Sequence, residues 1–552
     1  MISEPLILIG LLLLISPWLS QYITWVFRSP KIFGERSFFG LIGAKPGIEM
    51  SAKDYIRALV SFHVLGFLGI YLILIAQGML PLNPQLLPSV PPLLAANIAI
   101  SFLTNTNWQS YAGETTLTPL AQTLGLCVQN FLSAAVGLSV MVALARSFKR
   151  KLSPTIGNLW SDLYRSLVFI LMPFSLLLSI TLMQQGVPQT FSKNIEIKSL
   201  EGASQQIVLG PVASQTAIKQ LGSNGGGYYN VNSAHPLENP SPLTNFLLLF
   251  AVLILPFALI LSFGELIQDR RHGWALFGTC FALFLMSLGS AWYFQSQKNP
   301  ALFNLGFFEG QETRFSHWMS ELWSVATTAT SNGSTSLALD SLSPASGGIS
   351  IVLMMTGSLV FGGVGCGVYG LVLFAILTVF LAGLMVGRTP EYLGKKITQS
   401  EVILASVGAL APGLCLLITS AIACVWPSVS SSLHHLGPHA LSDILYAFSS
   451  AASNNGSAFA SLDSSSPFFL ISMSLVMLVG RFAVMIPVVL LAGNFAAGKI
   501  TPPSMGTFPT NGFVFSLLLA GILVMVALLT FFPVLALGPL LEHLLMMREG
   551  VF

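Results

Sequence analysis

The sequence predicts an all-α polytopic membrane protein, and three observations carry that prediction. Only 24 Lys and Arg and 21 Asp and Glu occur among 552 residues, so 8% are charged, against roughly 25% in a soluble globular domain. Apolar residues make up 53% and the mean hydropathy is +0.77, so most of the chain needs a solvent other than water. The apolar residues also gather into runs of the roughly 20 residues that cross a hydrocarbon core about 30 Å thick. An ordinary soluble protein is thereby excluded, and a scattered net charge of +3 leaves no basic surface for nucleic acid.

Ten such runs occupy about 5–27, 58–80, 117–145, 163–184, 243–264, 273–295, 349–386, 400–425, 468–492 and 511–536. The first lacks the positive leading region of a signal peptide, since Glu4 precedes it and Arg28, Lys31 and Arg36 follow, so it reads as a retained helix. Cys127, Cys280, Cys366, Cys415 and Cys424 all lie in apolar stretches without ligand spacing and read as core residues, with no disulfide or metal framework. An even number of spans puts both termini on one side. Basic residues concentrate in the odd connections: Arg28, Lys31, Arg36, Lys45, Lys53 and Arg57 in the first, then Arg146, Lys149, Arg150 and Lys151, Arg270 and Arg271, Arg388, Lys395 and Lys396, and finally Lys499. The positive-inside rule assigns these to the cytoplasm. Both termini and the even connections then face out, including 185–242, where Lys193, Lys198 and Lys219 balance Glu196, Glu201 and Glu238.

Each outer connection between successive spans holds an apolar stretch too short to cross, ending in a small polar tip. Pro92 to Leu103 ends in Thr104-Asn105-Thr106-Asn107, and Ala213 to Gly222 in Ser223-Asn224-Gly225-Gly226-Gly227. Trp318 to Thr330 ends in Ser331-Asn332-Gly333-Ser334, and Ser442 to Ala452 in Ser453-Asn454-Asn455-Gly456-Ser457. Aligning Asn105, Asn224, Asn332 and Asn455 gives a near-period. The expectation is one membrane domain, 1–552, with four pseudo-repeated helix-hairpin-helix units at 58–145, 163–266, 273–386 and 400–492, and extra helices at 5–27 and 511–536. A helix of about 12 residues reaches only about 18 Å, so each hairpin is expected to re-enter the membrane and return as extended chain. Irregular backbone at that depth must be buried in protein or line a water-filled path. The glycines free the tip backbone, and neutral Asn, Ser, Thr and carbonyl oxygens suit a hard cation. Rings of carbonyls that replace a hydration shell select potassium, and the C-terminal ends of the short helices add partial negative charge. Gly, Ser and Asn are also plain turn formers; it is their fourfold recurrence that points to an ion pathway through a central selectivity filter.

With those residues in view, the chain resembles the potassium-binding A subunits of bacterial Kdp pumps, within the wider potassium-transporter superfamily. The resemblance runs over nearly the whole chain. It is densest from Gly210-Pro-Val-Ala-Ser-Gln to Pro240, in Phe361 to Gly370, in Gly387 to Ile397 and in Asn454-Asn-Gly-Ser-Ala-Phe459. It implies the subunit of an ATP-driven, high-affinity potassium importer of the bacterial inner membrane that holds the filter. A separate P-type ATPase catalytic subunit (B) would hydrolyse ATP, with a C subunit and a small F peptide completing the complex; K+ is the transported ion, with no organic cofactor. The family's filter maps onto Asn105 and Thr106, Ser223 and Asn224, Ser331 and Asn332, and Asn454 and Asn455, with Gly225, Gly333 and Gly456 behind them. Thr104, Asn107 and Gly226 complete the candidate potassium-binding set.

The same resemblance places a basic residue just inside the filter at Arg481, half-way along an apolar run where a charge costs at least about 2.5 to 3.5 kcal/mol. It either braces the filter loops against inward leak or is a structural arginine between helices. The five glycines of Phe361 to Gly370 break the seventh span; the resemblance implies that Gly362, Gly363, Gly365 and Gly367 form an intramembrane gate, with a packing kink as the alternative. Gln109 is either a support for the filter or a residue of the mouth. His235 has no metal-ligand neighbours by spacing, and His434, His435 and His439 are expected in a solvated loop because Gly437-Pro438 interrupts helical spacing. No paired intramembrane acids, H-E-x-x-H helix, phosphate-binding loop or D-K-T-G phosphorylation motif occurs, so the chain is expected not to be an enzyme by itself. The rival reading is a self-sufficient Trk/Ktr-type potassium transporter driven by the membrane potential.

Overall fold

A computed structural model describes residues 3–30, 32–43, 47–300, 305–387, 390–502 and 507–548. Lys31, Lys45 and Arg388, used above to orient the chain, lie outside the described residues, as does Thr389 of the Gly387 to Ile397 string. Among the described residues, ten helices are long and apolar enough to cross a membrane. With five shorter helices they run α1 (Ser3–Arg28), α2 (Ala52–Ala76), α3 (Pro92–Leu103), α4 (Ala121–Lys149), α5 (Leu159–Gln184), α6 (Val212–Leu221), α7 (Pro242–Leu266), α8 (Arg270–Gln295), α9 (His317–Ala329), α10 (Pro344–Met355), α11 (Cys366–Val386), α12 (Gln399–Val425), α13 (Gly437–Ala452), α14 (Pro467–Ala497) and α15 (Phe513–Met547). The chain is a multi-pass membrane protein.

Three departures from the sequence reading have local causes. Helix α2 starts at Ala52 because Ser51 Oγ accepts the Asp54 N–H at 3.3 Å, a cap that lies upstream of the apolar run. The run at 349–386 is two helices, since Gly357, Ser358, Phe361 and Gly365 all have positive φ and no helix passes through them. The break is residues 356–365, with Gly362, Gly363 and Gly365 in the loop and Gly367 already in α11. The last helix continues past residue 536 to Met547, bent at Gly538, whose φ of −94° and ψ of −108° are non-helical. Two small antiparallel hairpins add strand to the loops. In one, β1 (Ile195–Lys198) pairs with β2 (Ser204–Ile207), Ile195 opposite Ile207; in the other, β3 (Glu391–Tyr392) pairs with β4 (Lys395–Lys396), Glu391 opposite Lys396.

Direct contacts sort the connections onto two faces. On one face the first and third connections bond through Met50 N–H to the Gly157 carbonyl at 2.6 Å, and the third and seventh through Lys395 Nζ to the Arg150 carbonyl at 2.5 Å. The seventh reaches the ninth through Thr501 N–H to the Gly394 carbonyl at 2.9 Å, and His272 links the fifth to Tyr392 Oη and the Thr510 carbonyl. The even connections meet on the other face, where Gln85 bonds Asn194, Arg314 bonds the Asn239 carbonyl and Ser461 N–H bonds Asp340. The first and last described helices end on this face: Glu4 accepts from Ser316 Oγ, and Glu542 meets His439 and Ser442.

In the most apolar 18-residue window of each helix, 83% of the residues are buried in α4 and α7 but only 22% in α2 and 17% in α15, so α4 and α7 form the centre and α2 and α15 the outer rim. The 356–365 loop packs directly on α4. A Cβ at Gly137 would stand 2.2 Å from the Val364 carbonyl oxygen, and one at Gly365 2.2 Å from the Gly137 carbonyl. Gly365→Ala combines this overlap with a φ of +80°, whereas Gly387, at φ +68°, has nothing within 4 Å of its Cβ position. Left-handed strain costs about 1–2 kcal/mol and overpacking about 1–3 kcal/mol more. Gly365→Ala is therefore expected to lower the unfolding midpoint in detergent clearly more than Gly387→Ala; equal shifts would contradict this packing.

Candidate functional site

The four short helices α3, α6, α9 and α13 end in one and the same turn. The N–H of Thr106, Asn224, Asn332 and Asn455 each bonds back to the carbonyl five residues earlier, at Ser101, Lys219, Thr327 and Ser450, over 2.8 to 3.0 Å. Before each of these stands a residue with positive φ, namely Asn105, Ser223, Ser331 and Asn454, and after each another, namely Asn107, Gly225, Gly333 and Gly456. The equivalent positions are thus Thr106, Asn224, Asn332 and Asn455. The alignment of Asn105 with Asn224 is off by one, because Asn tolerates the left-handed region and unit one uses it at both flanking positions. The pairing Asn105-Thr106, Ser223-Asn224, Ser331-Asn332 and Asn454-Asn455 carries the register seen in the structure.

The four tips meet in a closed ring. A Cβ on Gly225 would lie 1.7 Å from the Asn332 carbonyl oxygen, one on Gly333 2.2 Å from that of Asn455, and one on Gly456 1.9 Å from that of Thr106. Gly226 closes the circuit, its Cβ position 2.6 Å from Asn107 Cβ. The carbonyl met at three seams is the one at the equivalent turn position. Side chains lace the same seams: Asn105 Nδ2 donates to the Ser223 carbonyl at 2.7 Å, and Ser331 Oγ to the Ser453 carbonyl at 2.6 Å. Asn454 Nδ2 donates to Thr106 Oγ1 at 2.9 Å, and Thr104 and Thr106 share a hydroxyl contact of 2.7 Å.

The ring separates two spaces. Asn107, Gly333 and Gly456 border a cavity of about 690 Å³ together with Gln109, Asn232, Thr335 and Asp463. Ser331, Ser453 and Asn454 border a second space, shared with Ser358, Gly363 and Arg481. Gln109 grips the second tip, accepting the Gly227 N–H at 3.0 Å and donating to the Gly227 carbonyl at 3.1 Å. Arg481 is 2% exposed and donates to the Ser133 carbonyl at 2.9 Å; Ser133 Oγ in turn holds Asn105 Oδ1 at 2.7 Å. Gly363 sits below the third tip, its Cβ position 3.3 Å from the Thr330 carbonyl, while a Cβ on Gly362 would stand 2.6 Å from Gly367 Cα. Close packing by itself explains why these positions are glycine.

Two features were not legible from spacing. Lys219 and Glu238, read as balanced charges of an outer loop, are a fully buried ion pair behind the second tip. Lys219 Nζ also bonds Asn232 Oδ1 at 2.5 Å, and Asn232 Nδ2 donates to the Gly225 carbonyl at 2.8 Å. The available signal was a single lysine inside a short apolar stretch. The expected solvated histidine loop holds for His434, which is exposed and outside any helix, and is corrected for the other two: Gly437 and Pro438 open α13, because proline suits a first helical turn, and His439 bonds Glu542 while His435 bonds Asp443. His235 stacks on Tyr229 with centroids 3.7 Å apart.

A family model described as the potassium-transporting ATPase A subunit matches residues 6–544. The chain is 48% identical over 539 residues to a potassium-transporting ATPase potassium-binding subunit of Paramagnetospirillum magneticum, covering 98% of this chain and 97% of that one. It is 47% identical over 560 residues to the protein of the same description from Rhodospirillum centenum, covering 99% and 98%. Among solved structures, the potassium transporter TrkH of Vibrio parahaemolyticus superimposes with a TM-score of 0.53 at 14% identity, over 89% of this chain and 98% of that chain. At that identity the likeness is one of fold.

Removing one partner of a buried pair strands the other charge at a cost of about 3–5 kcal/mol. Lys219→Met is therefore expected to destabilise the protein strongly, and Lys219→Met with Glu238→Leu to recover much of the loss. A double-mutant cycle on thermal unfolding reads this coupling; additive effects would show that the pair does not hold the second tip.

Proposed function

The chain belongs to the family of potassium-transporting ATPase A subunits, and with that as premise we propose that it is the potassium-binding and translocating subunit of an ATP-driven import pump. One observation carries the reading: four equivalent turns, one from each quarter of the chain, close into a ring between two cavities. K+ is the cargo. The carbonyls of Thr106, Asn332 and Asn455, with that of Asn224 at the equivalent position, replace its water shell. Thr104, Asn105, Asn107, Ser223, Gly225, Gly226, Ser331, Gly333, Asn454 and Gly456 set the turns that aim them. Helices α3, α6, α9 and α13 point their C-terminal ends at the ring and add negative potential without a fixed charge.

Potassium enters from the extracytoplasmic side through the cavity beside Gln109 and passes inward to the space that Arg481 borders. Arg481 braces the ring through Ser133 and Asn105 and opposes free cation flow. The loop carrying Gly362, Gly363 and Gly365, with Gly367 at the start of α11, is the inner gate. The four units 58–145, 163–266, 273–386 and 400–492 supply one tip each. With no phosphorylation or nucleotide motif of its own, the chain leaves ATP hydrolysis to a P-type catalytic subunit, accompanied by a C subunit and a small F peptide. The basic odd connections place their face in the cytoplasm of a bacterial inner membrane, with both termini outside. Family membership favours this reading over a self-sufficient Trk/Ktr-type transporter.

Gly225→Ala pushes a methyl into the Asn332 carbonyl and Ser331→Ala removes the lacing of the third and fourth tips. Both are expected to lower potassium-over-sodium discrimination by at least about tenfold, a loss of about 1.4 kcal/mol, in ion-stimulated ATP hydrolysis by the purified complex. Assembled variants that discriminate like the parent would refute the ring as the filter. Arg481→Met is expected to leave assembly intact and raise passive potassium flux into proteoliposomes; an unchanged flux would remove the proposed role of its charge.

A further inference from the structure

Helix α13 carries, at the end away from its tip, a group of side chains for which the potassium path has no use. His435 stands two residues before the helix, and His439 and Asp443 are one turn apart on it. The two imidazole rings lie with centroids 4.0 Å apart at 69°. One ligand atom from each of His435, His439 and Asp443 falls within 4.8 Å of the others. We propose that these three residues form a binding site for a divalent transition-metal ion of the zinc class, held on the face of the even connections and separate from the potassium ring.

Ligand spacing, hydrogen bonding and charge each argue for it. His435 Nδ1 lies 3.2 Å from Asp443 Oδ2, and His439 Nε2 3.6 Å from Asp443 Oδ1. The two contacts end on different oxygens of one carboxylate, so each imidazole stands near the edge of about 3.3 Å of a tetrahedron whose metal bonds are about 2.0–2.1 Å long, and a bound ion would draw the three ligand atoms in from their spread of up to 4.8 Å. His439 is oriented from behind: its Nδ1 bonds Glu542 Oε1 at 2.6 Å, the carboxylate–histidine arrangement that fixes the tautomer of a metal ligand. That leaves the Nε2 lone pair facing Asp443, and Nε2 is buried without a hydrogen-bond partner. Asp443 is fully buried, accepts the Ser461 hydroxyl at 3.2 Å and otherwise faces the two imidazoles. A buried carboxylate needs compensation, and a divalent ion between it and two neutral imidazoles supplies that.

His435 is 39% exposed, so the ion has a route in and room for water at a fourth position. Imidazole nitrogen selects zinc, cobalt or nickel over hard cations such as potassium and magnesium. Because Glu542 lies on α15 and the ligands on or beside α13, the bound ion would tie the C-terminal helix to the helix that carries the fourth tip.

The test uses the full-length protein in its assembled complex, free of any histidine tag and stripped with a chelator. Equilibrium dialysis against Zn2+ alone, followed by elemental analysis, is expected to find one ion per chain, retained in excess Mg2+. His435→Ala and Asp443→Asn should weaken binding by at least about 100-fold, and Glu542→Gln by about 10- to 100-fold, as for other supports of a metal ligand. His435→Gln, at a partly exposed position, keeps the test meaningful if a buried variant misassembles. No zinc bound by the parent, or undiminished affinity in both His435 variants, would overturn the proposal.

Discussion

Every tip has to bury main-chain groups that no helix satisfies, in the middle of a protein that is itself surrounded by lipid. An unpaired N–H or C=O there costs several kcal/mol. The solution is repeated four times: a short helix ends with an N–H folded back five residues, and the extended return lies against the next tip. No tip stands alone, because three of them set a glycine against the neighbouring carbonyl and the side chains of the first and third donate to the neighbouring backbone. The ring and the fold are therefore one constraint. The central helices α4 and α7 are buried because they wall the ring, while α2 and α15 can remain exposed to lipid.

That constraint explains what could be read in the sequence and what could not. Hydropathy located ten spans because lipid demands them residue by residue, and the short apolar stretches stood out because they fail the same length test. Helix ends followed less closely: the cap at Ser51 and the continuation beyond Gly538 are set by local hydrogen bonds and dihedral angles that an apolar window does not register. The tip register slipped by one for a similar reason. Asparagine recurs at all four tips, yet Asn105 and Asn107 serve unit one as left-handed hinges, the office that Ser223 and Gly225 fill in unit two. Chemistry of the side chain and conformation of the backbone are both carried by Asn, and spacing alone does not separate them.

Long-range pairs were the other blind spot. Lys219 and Glu238 lie on opposite sides of the second tip, and His439 finds Glu542 across 103 residues. Such partners meet only once the helices that carry them pack, so their pairing is a consequence of the fold and leaves no periodic trace. Lys219 also shows why a positive charge can sit beside a proposed cation path. Its pair with Glu238 and its bond to Asn232 neutralise it locally while Asn232 anchors the Gly225 carbonyl. Arg481, by contrast, has no carboxylate among its bonded partners in the described residues, so its charge is felt in the space it borders.

Carrying all four tips on one chain also frees them from being identical. In a ring of separate, equal subunits every seam must be the same. Here three seams set a glycine against the next carbonyl, while the seam between units one and two reverses the arrangement. Gly226 makes room for Asn107, whose Nδ2 reaches Asn130 Oδ1 at 2.8 Å. One quarter of the ring can thus bear a full side chain, held from outside by α4, without the backbone of the other three giving way. Asymmetry of that kind lets the flanking supports differ as well. Gln109 clasps the second tip, the Lys219 and Glu238 pair backs it, and Arg481 is coupled to the first through Ser133. Each quarter can then change its support without the same change appearing in the other three.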